Sequence, residues 1–372
     1  CAAMNKLTWD ADRFYLDGEP FLIRSAAMHY FRIVPQYWRD RLQKLKACGF
    51  NTVETYTCWN LHERREGEFD FSGLLDIERY IAEAIESVLR QQTSFGVEII
   101  VGEDCSTDRT LAIVQDYERM YPDCIRIVTS EENVGWRKNY RRSIAAAQGK
   151  YIALLDGDDY FTHRKKLQMQ VDLLEANPDV GMCYGRSERV DENGTTTLYP
   201  EGECATTFEA MLRRNPAENC TVVARKELVE RYYEEIRPAE HPEWLTDDLP
   251  MWLWFAANSR YMAIDCPMSV HRVLTYSVSH NPDYRKKIAF VDSLSDISLW
   301  YDERYNESRL RDELLIAKHN TALWVLSYNG SVAEYLRRWH RDVNHHRPLI
   351  KNIASYGLFA KKIFWRMWRK QQ

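Results

Sequence analysis

The chain has 372 residues, enough to bury a large core and to form two or three domains. A net charge of −5 gives no overall pull toward nucleic acid, so a general nucleic-acid binder is excluded. Nine scattered cysteines, odd in number and without a CxxC pair, argue against a disulfide framework or a paired-cysteine zinc site and for reduced thiols in the cytoplasm. No signal peptide is visible, and no run of about 18 apolar residues spans a bilayer. The sequons at Asn193, Asn219, Asn306 and Asn329 are therefore expected to be coincidental, and Met4 is expected to be the natural start.

In the first 76 residues the text is β-rich. Tyr15 to Ile23 reads as a hairpin with Asp17-Gly18 at its turn. Arg24 to Phe31 reads as a strand. Pro35 to Gly49 reads as a helix, with proline in the first turn and glycine as the stop. Thr52 to Cys58 is a second β-rich run. The stretches FYLDGEPFLIRSAAMHYFRI, YWRDRLQKLKACGFNTVETYTCWNLHE and GEFDFSGLLDIERYI resemble the opening of a family 35 glycoside hydrolase, the β-galactosidase type. That resemblance implies the first strands and helix of an α/β barrel and a sugar contact at Tyr56. A retaining glycosidase needs two carboxylates about 5 Å apart. In that family both come from later strands that this chain lacks, and neither Glu54 nor Glu63 replaces them by motif.

From Ile77 the pattern changes. IERYIAEAIESVLRQQ predicts an amphipathic helix with Ile81, Ile85, Val88 and Leu89 on one stripe. A strand at Val97–Gly102, a helix from about Thr110 to Met120 and a strand at Cys124–Thr129 follow. Next come a loop and helix ended by Gly149, then the short apolar run Tyr151–Leu155. Strands alternating with helices predict an α/β fold with a doubly wound, mostly parallel sheet. The last run leads into Asp156, Gly157, Asp158 and Asp159. Carboxylates crowded at the end of a buried strand repel one another, and a divalent cation with oxygen ligands removes that cost. An acidic turn capping the next helix gives the same four residues.

YIAEAIESVL, EIIVGEDCSTDRT, ENVGWRKN, GKYIALLDGDDYF and KLQMQVDLLEANPDVGMCYG, in this order and spacing, resemble a family 2 glycosyltransferase of the GT-A fold. The resemblance runs from about Tyr80 to Gly185, and more weakly to His280. It implies a nucleotide-sugar donor, a UDP-sugar first of all, bound by Glu103, Asp104, Asn133, Gly135, Asp156 and Asp158. It implies Mn²⁺ or Mg²⁺ held by Asp158 with Asp156, while Asp159 orients the loop and Asp108 caps a helix. Asn139 and Arg142 are expected to be structural. WLTDDLPMW resembles the acceptor-side motif, which places a catalytic base at Asp248 with Asp247 as its rival; a helix cap ahead of Pro250 is the competing use. MSVHRVLTYSVSH resembles the loop that closes over the diphosphate. The place of a metal-binding histidine in some members is held here by Leu274, with His271 and His280 offset.

Residues 286 to 372 read as helices, among them Glu313–Tyr328 and Val332–Val343. The tail GLFAKKIFWRMWRKQQ interleaves aromatic and basic residues, as in helices that lie on an anionic membrane surface. Three segments are therefore expected: a glycoside-hydrolase-like fragment (1–76), a glycosyltransferase-like domain (77–285) and a helical region (286–372). The first sheet strand that normally precedes the YIAEAI helix is missing, and VETYTCWN is expected to fill its slot. The function expected is metal-dependent, inverting sugar transfer to a glycan or lipid-linked acceptor. The location expected is cytoplasmic, with peripheral contact at the inner membrane face. A β-galactosidase-like fragment and a non-catalytic sugar- or nucleotide-binding relic remain as alternatives.

Overall fold

The computed structural model describes residues 44, 80–106, 109–191, 194–273, 283–347, 349, 352 and 354–361, and the backbone alone of 7–9, 14–16, 19–21, 25–27, 52–54, 63–65, 68–69 and 77–79. The chain divides into two compact units, residues 1–82 with 107–113, and residues 83–106 with 114–372.

In the first unit, β1 (Leu7–Trp9), β2 (Phe14–Leu16) and β3 (Glu19–Phe21) form an antiparallel meander. Leu16 faces Glu19 across a two-residue loop, the hairpin that Asp17-Gly18 predicts. β4 (Ser25–Ala27) pairs in parallel with β5 (Thr52–Glu54). β6 (Glu63–Arg65) and β7 (Glu68–Phe69) make a short ladder. The expectation that Thr52–Cys58 fills the missing sheet slot does not hold, because among the described residues β5 takes β4 as its ladder partner. A strand–crossover–strand segment pairs most readily with itself. The helix expected at Pro35–Gly49 lies outside the described residues except for Lys44, which is helical.

Helix α1 (Ile77–Leu89) leads from this text into the second unit. Ile85 is buried, and Ile81, Val88 and Leu89 are half-buried, as the stripe predicts. Ser87 Oγ accepts the N–H of Phe161 at 3.0 Å, and Gln91 Nε2 donates to the carbonyl of His163 at 3.0 Å. These bonds tie the residues on either side of the α1 C-terminus to the segment that follows the acidic loop.

β8 (Ile99–Gly102) and β9 (Ile125–Val128) are parallel, with α2 (Thr110–Met120) as the crossover. Helix α3 (Trp136–Ala146) packs on β8. Gly102 is required there, since a Cβ at that position would collide with Ser143 Oγ. The main sheet is built from β10 (Tyr151–Ala153), β11 (Tyr160–Phe161), β12 (Val180–Asp191), β13 (Thr196–Tyr199), β14 (Val223–Arg225) and β15 (Arg260–Val273). Its order is β10-β14-β12-β15-β11, with β13 on β12. The α/β class is as expected. The main sheet, however, is mixed: β12–β15 is parallel, while β10–β14, β12–β14, β12–β13 and β11–β15 are antiparallel. Hydrophobic period sets element type, whereas strand direction depends on where each connection returns the chain.

Helices α4 (Lys166–Ala176), α5 (Phe208–Arg213), α6 (Lys226–Ile236) and α7 (Asp248–Asn258) cover this sheet or extend its core. α7 is buried almost throughout. Trp252, Trp254 and Phe255 are fully enclosed with Tyr184, Tyr232 and Tyr301. Side chains of this size contribute about 1.5–3 kcal/mol each on burial, so α7 is anchored far more firmly than a surface helix. Helices α8 (Tyr284–Tyr305), α9 (Arg311–Asn329) and α10 (Val332–His345) form the helical end expected from the sequence.

Candidate functional site

The acidic loop sits between β10 and β11. Asp159 is 1% exposed, Asp158 half-buried and Asp156 exposed. The Asp159 carboxylate accepts the N–H of Arg272 at 2.9 Å and lies 3.1 Å from His271 Nδ1. Asp159 N–H donates to the Asp156 carbonyl at 3.0 Å, and the Arg272 guanidinium donates to the Asp158 carbonyl and pairs with Glu83. The loop is therefore pinned to β15 and α1 from below, with Asp156 and Asp158 toward solvent.

Electrostatics follow from this crowding. Protein mass around Asp156, with the Asp159 and Asp158 charges, pushes its carboxyl up to about 7 although one face meets solvent. Asn219 Nδ2 donates to it at 3.3 Å. Burial and the Asp159 charge also raise Asp158. Burial pushes the His271 imidazole down, but its bond to Asp159 outweighs this and leaves it at about 9.

Glu103 and Asp104 end β8 and occupy themselves with loop architecture. Glu103, 2% exposed, accepts Ser106 N–H at 2.6 Å, Thr129 Oγ1 at 2.7 Å and Cys105 N–H at 3.3 Å. Burial raises its carboxyl, but these donors outweigh burial and hold it below the usual range. The Asp104 carboxylate accepts Val134 N–H and Gly135 N–H, each at 2.9 Å, and Asn133 Nδ2 donates to its carbonyl at 2.9 Å. Gly135 has φ 86°, a left-handed conformation that a Cβ strains. Asn139 Nδ2 donates to Gly102 O, and Arg142 reaches Asn139 Oδ1 at 2.9 Å and the Glu103 carbonyl. Asp108 lies outside the described residues, as do Tyr56, Leu274 and His280; Glu54 and Glu63 are described in backbone only.

Asp247 and Asp248 open α7. Arg137 Nε donates to Asp247 Oδ1 at 2.8 Å, and Arg137 Nη2 to the Trp244 carbonyl at 2.6 Å. Asp247 is 4% exposed, and burial raises its carboxyl more than Arg137 lowers it. Its Oδ2 has no partner among the described residues. Asp248 accepts the Thr246 hydroxyl, and burial raises its carboxyl too.

The hydroxyl of Tyr140 on α3 lies within electrostatic range of Asp156, Asp247 and Asp248, and burial with these charges raises it well above the usual tyrosine range. Asp104 holds the turn into α3, and Arg137 in the first turn of the same helix holds Asp247. Arg137, Tyr140 and the Asp159–His271 pair escaped the sequence reading. Arg137 and Asp247, and Asp159 and His271, are 110 and 112 residues apart, and no local spacing marks them.

Two family models match, on different parts of the chain. Glycosyl hydrolases family 35 matches residues 13–95, and glycosyl transferase family 2 matches residues 76–226. The two matched stretches overlap at residues 76–95. Human beta-galactosidase-1-like protein 3 is 60% identical over 73 residues, 20% of this chain and 11% of that protein. An uncharacterized Mycobacterium tuberculosis protein is 34% identical over 153 residues, 40% of this chain and 44% of that one. The chain thus spans less than half the length of these relatives. Solved structures of similar shape include Staphylococcus aureus TarS, 18% identical with a TM-score of 0.49 over 77% of this chain and 52% of that one. They also include a mannosyltransferase from Pyrobaculum calidifontis in complex with GDP-Man and Mn²⁺, 17% identical with a TM-score of 0.45 over 79% of this chain and 84% of that one. The stretch matched by glycosyl transferase family 2 contains the acidic loop, Glu103, Asp104, Asn133 and Gly135. The stretch matched by glycosyl hydrolases family 35 contains Tyr56, which lies outside the described residues.

Proposed function

We propose that residues 77–285 transfer a sugar from a nucleotide-diphosphate donor, a UDP-sugar in the first instance, to a hydroxyl of a glycan or lipid-linked acceptor, with inversion. Residues 1–76 act as a fused fragment without glycosidase chemistry, and 286–372 as a helical support. The observation that supports this reading is the acidic loop between β10 and β11, where Arg272 and His271 hold Asp159 and leave Asp156 and Asp158 as neighbouring carboxylates.

The donor set suits a hard divalent cation. Asp156 and Asp158 are neighbouring carboxylates with raised proton affinity, a strain that Mn²⁺ or Mg²⁺ relieves. Asp158 and Asp156 would hold the ion, which when bound neutralises charge on a leaving diphosphate. Asp104, Asn133 and Gly135 shape the loop on which the base and ribose rest. Glu103 fixes that loop from beneath.

Asp248 takes the proton. The acceptor oxygen bonds to the anomeric carbon as the bond from that carbon to the diphosphate oxygen breaks, and the acceptor proton passes to the Asp248 carboxylate. Burial makes this carboxylate more basic than an exposed one. Asp247, tied to Arg137, keeps the start of α7 in place. The protein would work in the cytoplasm. The tail from Gly357 onward, with Trp365, Trp368 and its basic residues, would touch an anionic membrane surface; among the described residues, no helix is long and apolar enough to cross a membrane.

Release of nucleoside diphosphate from UDP-sugars in the presence of Mn²⁺ tests the reading. Turnover lost at least a hundredfold in Asp248→Asn, with donor binding kept, supports it. Turnover unchanged in that variant removes Asp248 as the base.

A further inference from the structure

Beneath the open carboxylates lies a second group of donors, from three separate elements. Asp159 comes from the loop before β11, Cys220 from the 3-10 turn Asn219–Thr221, and His271 from β15. One ligating atom from each lies within 4.8 Å of the others. Asp159 and Cys220 are 1% and 0% exposed, and His271 is half-buried, so the group lies largely out of solvent. Ser269 Oγ donates to Cys220 Sγ at 3.3 Å, and His271 Nδ1 stands 3.1 Å from Asp159 Oδ2.

Tetrahedral coordination with bonds of about 2.0–2.3 Å sets donors roughly 3.3–3.7 Å apart, so small side-chain shifts bring these three to bonding distance. A dication with one carboxylate and one thiolate is formally neutral, which suits a buried position. The chemistry of the set is selective. Carboxylate and imidazole accept many metals, but a thiolate disfavours Mg²⁺ and Mn²⁺ and favours a borderline-soft ion. The absence of a CxxC pair hides such a site from sequence, because each donor stands alone in its own segment.

We propose that Asp159, Cys220 and His271 bind a thiophilic divalent cation of the Zn²⁺ class, separate from the hard-ion position at Asp158 and Asp156. The ion clamps the acidic loop to β15 and to the 3-10 turn, and thereby fixes the direction in which Asp158 presents its carboxylate. Three protein donors leave one position for water. The site does not depend on the transfer reaction and stands or falls apart from it.

Co²⁺ is the probe, titrated into the full chain after chelator treatment under reducing conditions. The expected result is one equivalent of Co²⁺ with a thiolate-to-metal charge-transfer band and tetrahedral d–d absorption. The band is kept in Asp158→Asn and lost in Cys220→Ser. His271→Gln, which retains the thiol, should weaken Co²⁺ binding more than tenfold, and it serves as the test where Cys220→Ser does not fold. No thiolate band in the unmutated chain, a band that survives in folded Cys220→Ser, or unchanged affinity in His271→Gln would overturn the proposal. A band lost in Asp158→Asn would also overturn it, by placing the cation among the open carboxylates.

Discussion

Arg137 Nε donates to Asp247 Oδ1 at 2.8 Å, joining residues 110 positions apart in the chain. The same guanidinium donates to the Trp244 and His241 carbonyls, so it fixes the whole approach to α7. Arg137→Ala leaves a nearly buried carboxylate without its counter-charge, which costs on the order of 3–5 kcal/mol. Denaturant unfolding checks this. Arg137→Lys recovers only part of the loss, because one ammonium cannot reproduce a planar fork that serves three acceptors.

Lys166 gives a second test. Its amine is fully buried over the Phe161 ring at 4.2 Å, with no hydrogen-bond partner among the described residues. Burial pushes it from 10.5 down to about 8. The unfolded chain therefore holds this proton up to about 10.5 while the folded chain releases it near 8. Stability carried by this group rises with pH across that window and is lower below it. Lys166→Met should raise stability at pH 7 by on the order of 3 kcal/mol and flatten the difference curve between pH 8 and 10.5. Paired thermal melts across pH measure it, and an unchanged slope would contradict the assignment.

In the loop ahead of α3, Gly135→Ala forces a Cβ into a left-handed backbone with φ 86°. The expected cost is about 1–2 kcal/mol. Asp104→Ala removes the acceptor of the Val134 and Gly135 amides, at about 1–3 kcal/mol for the donors left behind. Both variants should lose affinity for a nucleoside diphosphate while the core stays folded, as read by calorimetry beside far-ultraviolet dichroism.

Cation binding at the acidic loop should depend on pH. Asp156 sits at about 7, raised from 3.8, so the proton competes with a metal until the pH passes that value. Mn²⁺ affinity is expected to climb between pH 6 and 8 and then level off. In the folded chain the same group disfavours ionisation, so its contribution to stability is full below pH 4 and is lost as pH rises toward 7. Asp156→Asn should flatten both curves.

Much of this architecture was legible in the residues. The α1 stripe, the crossover helix Thr110–Met120 and the Asp17-Gly18 hairpin all stand where period and turn chemistry put them. Strand direction was less legible. β14 follows a 3-10 turn and runs antiparallel to both β10 and β12, which no count of apolar positions reveals. The run at Thr52 misled because β-propensity does not name a partner, and Ser25–Ala27 pairs with it in parallel. At the site, the carboxylates announced themselves as a cluster in DGDD. The bonds that aim them, from His271 and Arg272, did not, because a contact between distant segments leaves no local pattern.

The central claim is that the acidic loop and a divalent cation together form a nucleoside-diphosphate site. The most direct measurement is calorimetric titration of UDP into the full chain, with and without Mn²⁺, repeated on Asp158→Ala. The account predicts binding that requires or is strongly enhanced by Mn²⁺ and is abolished in the variant. UDP binding that ignores both the metal and the substitution, or no UDP binding under any condition, would contradict it.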